Sequence, residues 1–251
     1  MNERRRLWVW RTLVAALLLG GWEAYGRFVG SDWTSMPTDV AVQLGQWAIS
    51  TLAADVGVTL LEIVVGLAIG GPLGVVMGLW LGRAPAAAAL LRPLIVAMNS
   101  VPLVALTPLL ILWFGIGLAP KIALVALIAF FLLFFNTFSG VRAMDEDFVA
   151  MLSLMGASRR EAFQKVILPG SAVWILSGLR AALPYALIGA SVGEILIARR
   201  GVGHLITASS SQFDMTGVYA ALVVLMILGV LVNELSVRLE TWLLRWRSRP
   251  A

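Results

Sequence analysis

The sequence predicts an all-α polytopic membrane protein, with six transmembrane helices in one domain and a cytoplasmic helical hairpin between the fourth and fifth. Apolar residues make up 60% of the 251 residues, charged residues make up only 13%, and the mean hydropathy is +0.90. A soluble globular chain is about half apolar and about a quarter charged. Because so few charges cannot cover a water-soluble body of this size, lipid must replace water over most of the surface.

Six stretches are apolar enough to span a bilayer, which takes roughly 20 residues in a helix. They are residues 10–29, 57–82, 93–115, 120–141, 171–197 and 216–238. No long polar block separates them, so residues 1–251 are predicted to form a single domain. The basic run Arg4-Arg5-Arg6 resembles the start of a signal peptide, but Gly20-Gly21-Trp22-Glu23 offers no small-x-small cleavage site. The first span is therefore expected to be retained.

The basic residues set the predicted orientation. With the amino terminus in the cytoplasm, the outer side receives only Arg27, Lys121, Arg199 and Arg200, and the first outer loop carries Asp32, Asp39 and Asp55. Cytoplasmic loops carry an excess of Lys and Arg, so both termini are predicted to be cytoplasmic, in a bacterial inner membrane. This placement also accounts for the net charge of +5 without a nucleic-acid partner.

The second span contains a stripe of glycines at every fourth position: Gly66, Gly70, Gly74, Gly78 and Gly82. Small residues on one helix face let two backbones approach closely in lipid. We expect a packing stripe, with direct lining of a translocation path as the alternative. Pro72, in the same stretch, is expected to kink the helix.

The third span contains Asn99-Ser100-Val101-Pro102 and then Thr107-Pro108. Each proline removes a helix hydrogen-bond donor and crowds the preceding turn. Carbonyl groups freed in this way must face protein or water rather than lipid. A broken, partly polar helix of this kind suits the wall of a pathway, and an ordinary proline kink satisfied by neighbouring helices is the alternative.

The cytoplasmic segment of residues 142–170 has the pattern of two short helices joined at Gly156. Acidic residues at 145–147 favour a helix start, and a glycine can end a helix in the left-handed conformation. Ser158-Arg159-Arg160-Glu161 has the pattern of a capping box, and Pro169 marks the return to the membrane. The second helix has an apolar face formed by Ala162, Phe163, Val166 and Ile167. A projecting hairpin of this type is typical of a docking element, although a surface helix pair without a partner has the same pattern.

This segment resembles the EAA loop of ABC importer permeases. Gly156, nine residues and Val166-Ile167-Leu168-Pro169 match the core Gly-x9-Ile-x-Leu-Pro, with valine for isoleucine. Other matching motifs, in order, are Pro37-Thr38-Asp39-Val40, Ser100-Val101-Pro102, Leu112-Trp113-Phe114-Gly115-Ile116-Gly117, Asn136-Thr137-Phe138-Ser139-Gly140-Val141-Arg142, Gly178-Leu179-Arg180 and Gly201-Val202-Gly203-His204-Leu205-Ile206. The chain is thus similar to permeases of the nitrate/sulfonate/taurine subgroup of binding-protein-dependent importers, which have the type I importer fold. It departs from them at Ala150-Met151-Leu152, which stands in place of the Glu-Ala-Ala triplet.

The resemblance implies a transport subunit rather than an enzyme. Two permease copies would pair with two ATP-hydrolysing subunits, and a periplasmic or lipid-anchored solute-binding protein would dock on the outer face. The chain has no Gly-x4-Gly-Lys-Ser/Thr phosphate loop, so ATP and Mg²⁺ are expected on the partner ATPase and no cofactor or metal on this chain. The substrate stays open, because the solute-binding protein sets most of the selectivity.

The resemblance also gives two sets of candidate residues. Those expected to couple to the ATPase are Met155, Gly156, Ala157, Ser158, Glu161, Phe163, Val166, Leu168 and Pro169. Those expected along the pathway are Asn99, Ser100, Pro102, Thr107, Asn136, Ser191 and Glu194. Glu62 and Glu194 are intramembrane carboxylates, for which a structural pair or interface anchor is the alternative to a substrate role. Arg180 is expected to anchor the hairpin or to face lipid phosphates.

Two other classes of protein are less consistent with the sequence. A membrane hydrolase would need a nucleophile and a base, but His204 is the only histidine and no Gly-x-Ser-x-Gly occurs near Ser139 or Ser209-Ser210-Ser211. A secondary transporter or channel would often show inverted repeats, and none is evident. Such a carrier would also leave the cytoplasmic hairpin without a role, so co-purification of an ATPase distinguishes the two classes.

Overall fold

The computed structural model describes residues 3–30, 33–144, 151, 154–197 and 199–243, and these residues are helical or lie in short connections. The helices in chain order are α1 (Glu3–Val29), α2 (Pro37–Ser50), α3 (Leu52–Gly82), α4 (Pro85–Asn99), α5 (Thr107–Phe114), α6 (Leu118–Arg142), α7 (Arg159–Ala162), α8 (Leu168–Ile197), α9 (Val202–Ser211) and α10 (Met215–Leu243). A 3₁₀ turn (Leu103–Leu106) precedes α5, and a π-helical turn (Phe163–Ile167) joins α7 to α8. The prediction of an all-helical chain is confirmed.

Within these described residues, four helical segments are long and apolar enough to cross a membrane. They contain α3, α6, α8 and α10, and they correspond to the predicted second, fourth, fifth and sixth spans. Helix α1 covers the predicted first span but is not among the four. The count of six spans therefore stays a prediction.

The predicted third span is divided into separate pieces. Helix α4 ends at Asn99, the chain continues through Ser100 to Pro102 without helix, and the 3₁₀ turn and α5 follow. Two prolines within nine residues remove donors that a continuous helix would need. The prediction of a broken helix at this position is confirmed.

Helices α3 and α6 pack along the predicted glycine stripe. Gly66 faces Val125, Gly70 faces the backbone of Ala126, and Gly74 faces the backbone of Phe130. A Cβ at Gly78 would lie 2.7 Å from the Cβ of Thr137, and a Cβ at Gly82 would lie 2.7 Å from the Cβ of Val141. Any side chain at these positions would force the two helices apart, so the packing-stripe interpretation is confirmed. Helix α3 runs through Pro72 without interruption.

Helix α8 completes the centre of the molecule by packing on α6. Gly178 faces Asn136, and Gly140 faces the Trp174 ring. The buried core follows these contacts and includes Val125, Ala186, Ala190 and Val202. Helices α3, α6 and α8 thus form the three-helix centre of the molecule.

Helix α2 was not predicted, because residues 30–56 have the composition of a loop between spans. Pro37 occupies the first turn, where its fixed φ suits a helix start, and Asp39 lies in the same turn. Helix α3 also begins earlier than the predicted span. Asp55, predicted in the first outer loop, is therefore in the first turn of α3 and is buried.

Candidate functional site

The predicted capping box at the start of α7 is present. The backbone N–H of Ser158 donates to Oε2 of Glu161 at 3.0 Å, and the Ser158 hydroxyl donates to the same oxygen at 2.9 Å. The backbone N–H of Glu161 donates in return to the Ser158 hydroxyl at 3.3 Å. Lys165, one turn later, forms an ion pair with Glu161 at 3.2 Å. The reciprocal bonds fix where this helix begins.

These contacts stabilise the ionised form of Glu161, which lies outside the membrane-spanning segments. The Ser158 backbone N–H, its hydroxyl and the Lys165 ammonium lower the pKa of Glu161 to about 2. Glu161 is therefore an anion at neutral pH and keeps its capping role there.

The tip of this segment exposes apolar side chains. Leu154 is 89% exposed and Met155 is 77% exposed, and Met151 is also exposed. Gly156 follows with φ of +84°, which reverses the chain at a position where a Cβ would meet open space. An apolar tip beside a fixed turn is a surface that a partner or lipid can cover.

A continuous helical path leads from this tip into the membrane. Helix α7 begins at Arg159, the π-helical turn follows, and α8 continues to Ile197. Pro169, predicted to mark the return to the membrane, lies inside this path rather than at its end. A proline cannot donate to the carbonyl four residues earlier, and the wider π-helical turn just before it accommodates this loss.

Part of the apolar face predicted for docking is buried within this chain, and the rest is exposed at its surface. Ala162 and Ile167 are buried within this chain, whereas Phe163 and Val166 are partly exposed and Leu168 is exposed. Arg83, just after α3, places its guanidinium Cζ 4.7 Å from the centre of the Phe163 ring. The second helix of the segment is therefore attached to the end of α3.

Some predicted residues lie outside the described part of the chain. Asp145, Glu146 and Asp147, most of the first hairpin helix, and two members of Ala150-Met151-Leu152 are among them. The side chain of Asn99 is also not described. Arg180 pairs with Glu240 of α10 at 3.0 Å, and the expectation that it anchors the hairpin or faces lipid phosphates stays a prediction.

The pathway candidates are separate in the structure and largely satisfied within their own helices. The hydroxyl of Thr107 donates to the Val104 carbonyl at 2.6 Å, and that of Ser191 donates to the Leu187 carbonyl at 2.8 Å. The side-chain amide of Asn136 donates to the Leu132 carbonyl in the same way. Ser100 and Pro102 are exposed at the break between α4 and α5. A role along the pathway stays a prediction for these residues.

Glu194, the remaining pathway candidate, belongs to a buried polar cluster. Among the described residues, the buried charged side chains are Asp55, Glu62, Lys121 and Glu194, and all four lie in this cluster. Asp55, Thr59 and Glu62 are spaced i, i+4, i+7 along one face of α3. Lys121 of α6 forms an ion pair with Glu62, and its stem lies beside Gly193, the neighbour of Glu194. The structural-pair alternative for Glu62 is thus the one that the geometry favours.

The start of α9 completes the cluster. The backbone N–H of Gly201 donates to Oδ1 of Asp55 at 3.0 Å, and that of Val202 donates to the Thr59 hydroxyl at 3.1 Å. Glu194 accepts from the Thr59 hydroxyl at 2.6 Å and from the Gly203 N–H at 2.8 Å. The cluster therefore combines three acidic side chains with one lysine and the amino-terminal end of a helix. Both oxygens of Glu194 accept a hydrogen bond.

Close contacts with Glu194 explain why the Gly201-Val202-Gly203 motif has glycine at its first and third positions. Gly201 adopts φ of +119°, and a Cβ there would overlap the Glu194 carboxylate. A Cβ at Gly203 would lie 2.8 Å from the Cβ of Glu194. Both glycines let the start of α9 approach a buried carboxylate. The sequence did not predict a role for Thr59, although its spacing from Asp55 and Glu62 along α3 was an available signal. It carries no local signal for the pairing of Lys121, which lies on α6.

No group of histidine, cysteine, aspartate or glutamate residues in the described ranges has the arrangement of a metal site. The contacts seen in the polar cluster are hydrogen bonds and one ion pair.

Comparison with known proteins gives a consistent result. A family model described as binding-protein-dependent transport system inner membrane component matches residues 70–245. The chain is 33% identical over 242 residues to the formylaminopyrimidine transport permease protein of Halalkalibacterium halodurans, covering 95% of this chain and 96% of that protein. It is 30% identical over 251 residues to the putative aliphatic sulfonates transport permease protein of Bacillus subtilis, covering 98% of this chain and 91% of that protein.

The fold is similar to that of a solved transporter. An inward-facing conformation of the MetNI methionine ABC transporter superposes with a TM-score of 0.59 at 21% sequence identity, covering 73% of this chain and 90% of the matched chain. At this level of identity the similarity concerns the fold alone.

Proposed function

Because this chain belongs to the family of inner membrane components of binding-protein-dependent transport systems, we propose that it couples ATP hydrolysis by a partner to import of a small solute through a lever at residues 154–169. The chain is a permease subunit of an ABC importer, as its motifs predicted. Membership of the family implies an ATPase and a solute-binding protein as partners. The proposal concerns how this chain meets the ATPase and what it carries.

The observation that carries the proposal is the unbroken helical path from Arg159 to Ile197. At about 1.5 Å per residue, such a path spans more than 50 Å. Movement of the capped start of α7 would therefore be passed to α8, although Pro184 interrupts the hydrogen bonding of α8. The exposed Leu154, Met155 and Gly156 lie beside that start and offer an apolar contact to the ATPase.

The contact between Arg83 and Phe163 supports the same mechanism. Because the guanidinium lies over the ring, the lever is attached to the end of α3 as well as to α8. Movement of the lever would therefore act on two of the three central helices. Nucleotide binding can shift the transporter between outward-facing and inward-facing states only if the states differ by a few kcal/mol.

The wider assembly follows the predictions from the sequence. Two copies of this chain would pair with two ATPase subunits that bind ATP and Mg²⁺, with both termini and the lever in the cytoplasm. Six crossings would include α1 and the broken α4–α5 region. The separation of α4 from α5 supports a pathway wall there, since freed backbone groups need protein or water.

The solute is inferred to be a small molecule of the kind named for the relatives, a sulfonate or a pyrimidine. The described pathway candidates Thr107, Asn136 and Ser191 are neutral, and the buried charges are engaged in the cluster. A weakly polar path of this type does not hold a small solute by a fixed charge. Selectivity would then reside in the solute-binding protein.

Reconstitution in lipid nanodiscs with the ATPase and the solute-binding protein tests the proposal. We expect ATP-dependent uptake, and stimulated ATP hydrolysis in a screen of aliphatic sulfonates and formylaminopyrimidine. Gly156→Asp should abolish the stimulation or prevent ATPase binding. Gly30→Asp is the matched control, because Gly30 also has a positive φ (+93°) and open space around its Cβ. Normal uptake by Gly156→Asp, or uptake without ATP, would contradict the lever.

A further inference from the structure

The far end of the proposed lever is Glu194, near the last turn of α8. It lies 35 residues after Arg159 along the continuous helical path, or about 50 Å at 1.5 Å per residue. Glu194 lies on the same continuous helix as the lever, which also contains Pro184, so movement of α8 can reach this carboxylate. What Glu194 contacts determines which other helices respond.

Glu194 joins three helices through its two oxygens. Oε1 accepts from the Thr59 hydroxyl of α3, and Oε2 accepts from the Gly203 N–H at the start of α9. The carboxylate is fully buried, so no water competes for either bond. Hydrogen bonds to a charged group in a buried site are among the strong ones.

The start of α9 depends entirely on these neighbours. The N–H groups of Gly201, Val202 and Gly203 donate to Asp55, Thr59 and Glu194, and none of these acceptors lies on α9. The residue before α9 is Gly201, which has no side chain to cap the helix. The first turn of α9 is thus hydrogen-bonded by α3 and α8 rather than by its own side chains, while Ser209 further along α9 faces Gly217 of α10.

Separation of these three helices would leave a buried carboxylate and three helix N–H groups without partners. Such a state is disfavoured, because buried polar groups without hydrogen-bond partners are costly. The ends of α3, α8 and α9 should therefore move together. Thr59 is central to this coupling, since its hydroxyl donates to Glu194 and accepts from Val202.

We propose that Asp55, Thr59 and Glu194 are positioning residues that relay movement between α8 and α9, and so connect the predicted outer face to the ATPase lever. This inference rests on the proposed function, because it takes α8 as the lever. Through this relay, arrival of the solute-binding protein near α9 would change ATP hydrolysis on the opposite side of the membrane. Helix α9 would thus transmit changes at the predicted outer face to α8.

The test uses the complete complex in nanodiscs and substitutes Thr59. Thr59→Val keeps the shape but removes the hydroxyl, whereas Thr59→Ser keeps the hydroxyl. For Thr59→Val we expect normal assembly and basal ATP hydrolysis, with stimulation by the solute-binding protein and uptake reduced about tenfold, the effect of one hydrogen bond to a charged group. Thr59→Ser should retain most of the stimulation.

Ser211→Ala is the matched control, because Ser211 is exposed on α9 and its hydroxyl donates only to the Thr207 and Ala208 carbonyls of the same helix. It should leave stimulation unchanged. If Thr59→Val fails to assemble, Glu194→Gln, which keeps the shape and removes the charge, should show the loss of stimulation instead. Wild-type stimulation in Thr59→Val or Glu194→Gln overturns the relay, and so does an equal loss of basal and stimulated hydrolysis. Failure of the wild-type complex to couple ATP to uptake would instead contradict the proposed function.

Discussion

The Arg83 guanidinium lies over the Phe163 ring, with 4.7 Å between Cζ and the ring centre. The contact attaches the end of α3 to the helix that follows the capping box. Since α3 packs along α6 through its glycine stripe, the contact places the proposed lever against a closely packed pair of helices. This cation–π contact would thus connect the proposed lever to the membrane-spanning core.

Removal of this contact should weaken coupling. A cation–π pair at an accessible site contributes about 0.5–1 kcal/mol, so Arg83→Met should lower the rate of ATP-dependent uptake about two- to fivefold. Arg83→Lys keeps a cation over the ring and should lose less. Uptake at the wild-type rate in both Arg83→Met and Phe163→Leu would show that the joint has no role in coupling.

The glycine stripe makes a prediction about stability. A Cβ at Gly74 would meet the backbone of Phe130, so Gly74→Ala should push α3 away from α6 and cost about 1–3 kcal/mol of unfolding free energy. Gly57→Ala, on the same helix but with open space at Cβ, should stabilise the helix by up to about 1 kcal/mol. Unfolding of the purified chain in mixed micelles measures both values. Equal effects at the two positions would be inconsistent with close packing.

The buried ion pair makes an asymmetric prediction. Lys121→Met should cost about 3–5 kcal/mol of unfolding free energy, because it leaves Glu62 unpaired among the carboxylates of Asp55 and Glu194. Glu62→Gln should cost less unfolding free energy, because Lys121 would keep the glutamine amide as a polar partner and Glu194 as a nearby acidic group. The double variant Glu62→Leu with Lys121→Met should cost less than Lys121→Met alone. Additive losses in an unfolding titration would argue against the pair.

The capping box gives a prediction about pH. The pKa of Glu161 is lowered to about 2 from an ordinary value of 4.5. A carboxylate with a lowered pKa stabilises the folded turn above its ordinary value and loses this effect as pH falls through the folded value. Protection of the Ser158 amide against hydrogen exchange should therefore be constant above about pH 5 and decline from about pH 4.5 towards about pH 2. Glu161→Gln should remove this decline, and the same decline in that variant would contradict the assignment.

Local patterns allowed much of the fold to be predicted. The glycine spacing in α3, the prolines around α5 and the capping box at Ser158 and Glu161 each depend on residues within one or two helical turns. Hydropathy predicted the spans that correspond to α3, α6, α8 and α10, because a bilayer requires long apolar helices. These features are encoded over short distances in the chain.

The remainder depends on contacts between distant residues. The distribution of basic residues places Lys121 on the outer side but does not indicate its partner. That partner, Glu62, lies 59 residues away in the chain and is brought close only by the register of α3 against α6. Asp55 precedes the predicted second span, and only the structure shows that α3 begins at Leu52 and includes it. Helix α2 and the passage of the helix through Pro169 are likewise set by packing and by the π-helical turn, which composition does not show.

The most direct test of the lever is to locate the side chain at position 155 in the assembled transporter. The sequence has no cysteine, so Met155→Cys introduces a single thiol on the exposed apolar tip. Phe213→Cys, on the exposed turn after α9, is the control for the opposite face. We expect the thiol at 155 to cross-link to the ATPase subunit and to react with an impermeant maleimide from the cytoplasmic side only, and the thiol at 213 to react from outside. Labelling of position 155 from outside, or no cross-link to the ATPase, would contradict the account.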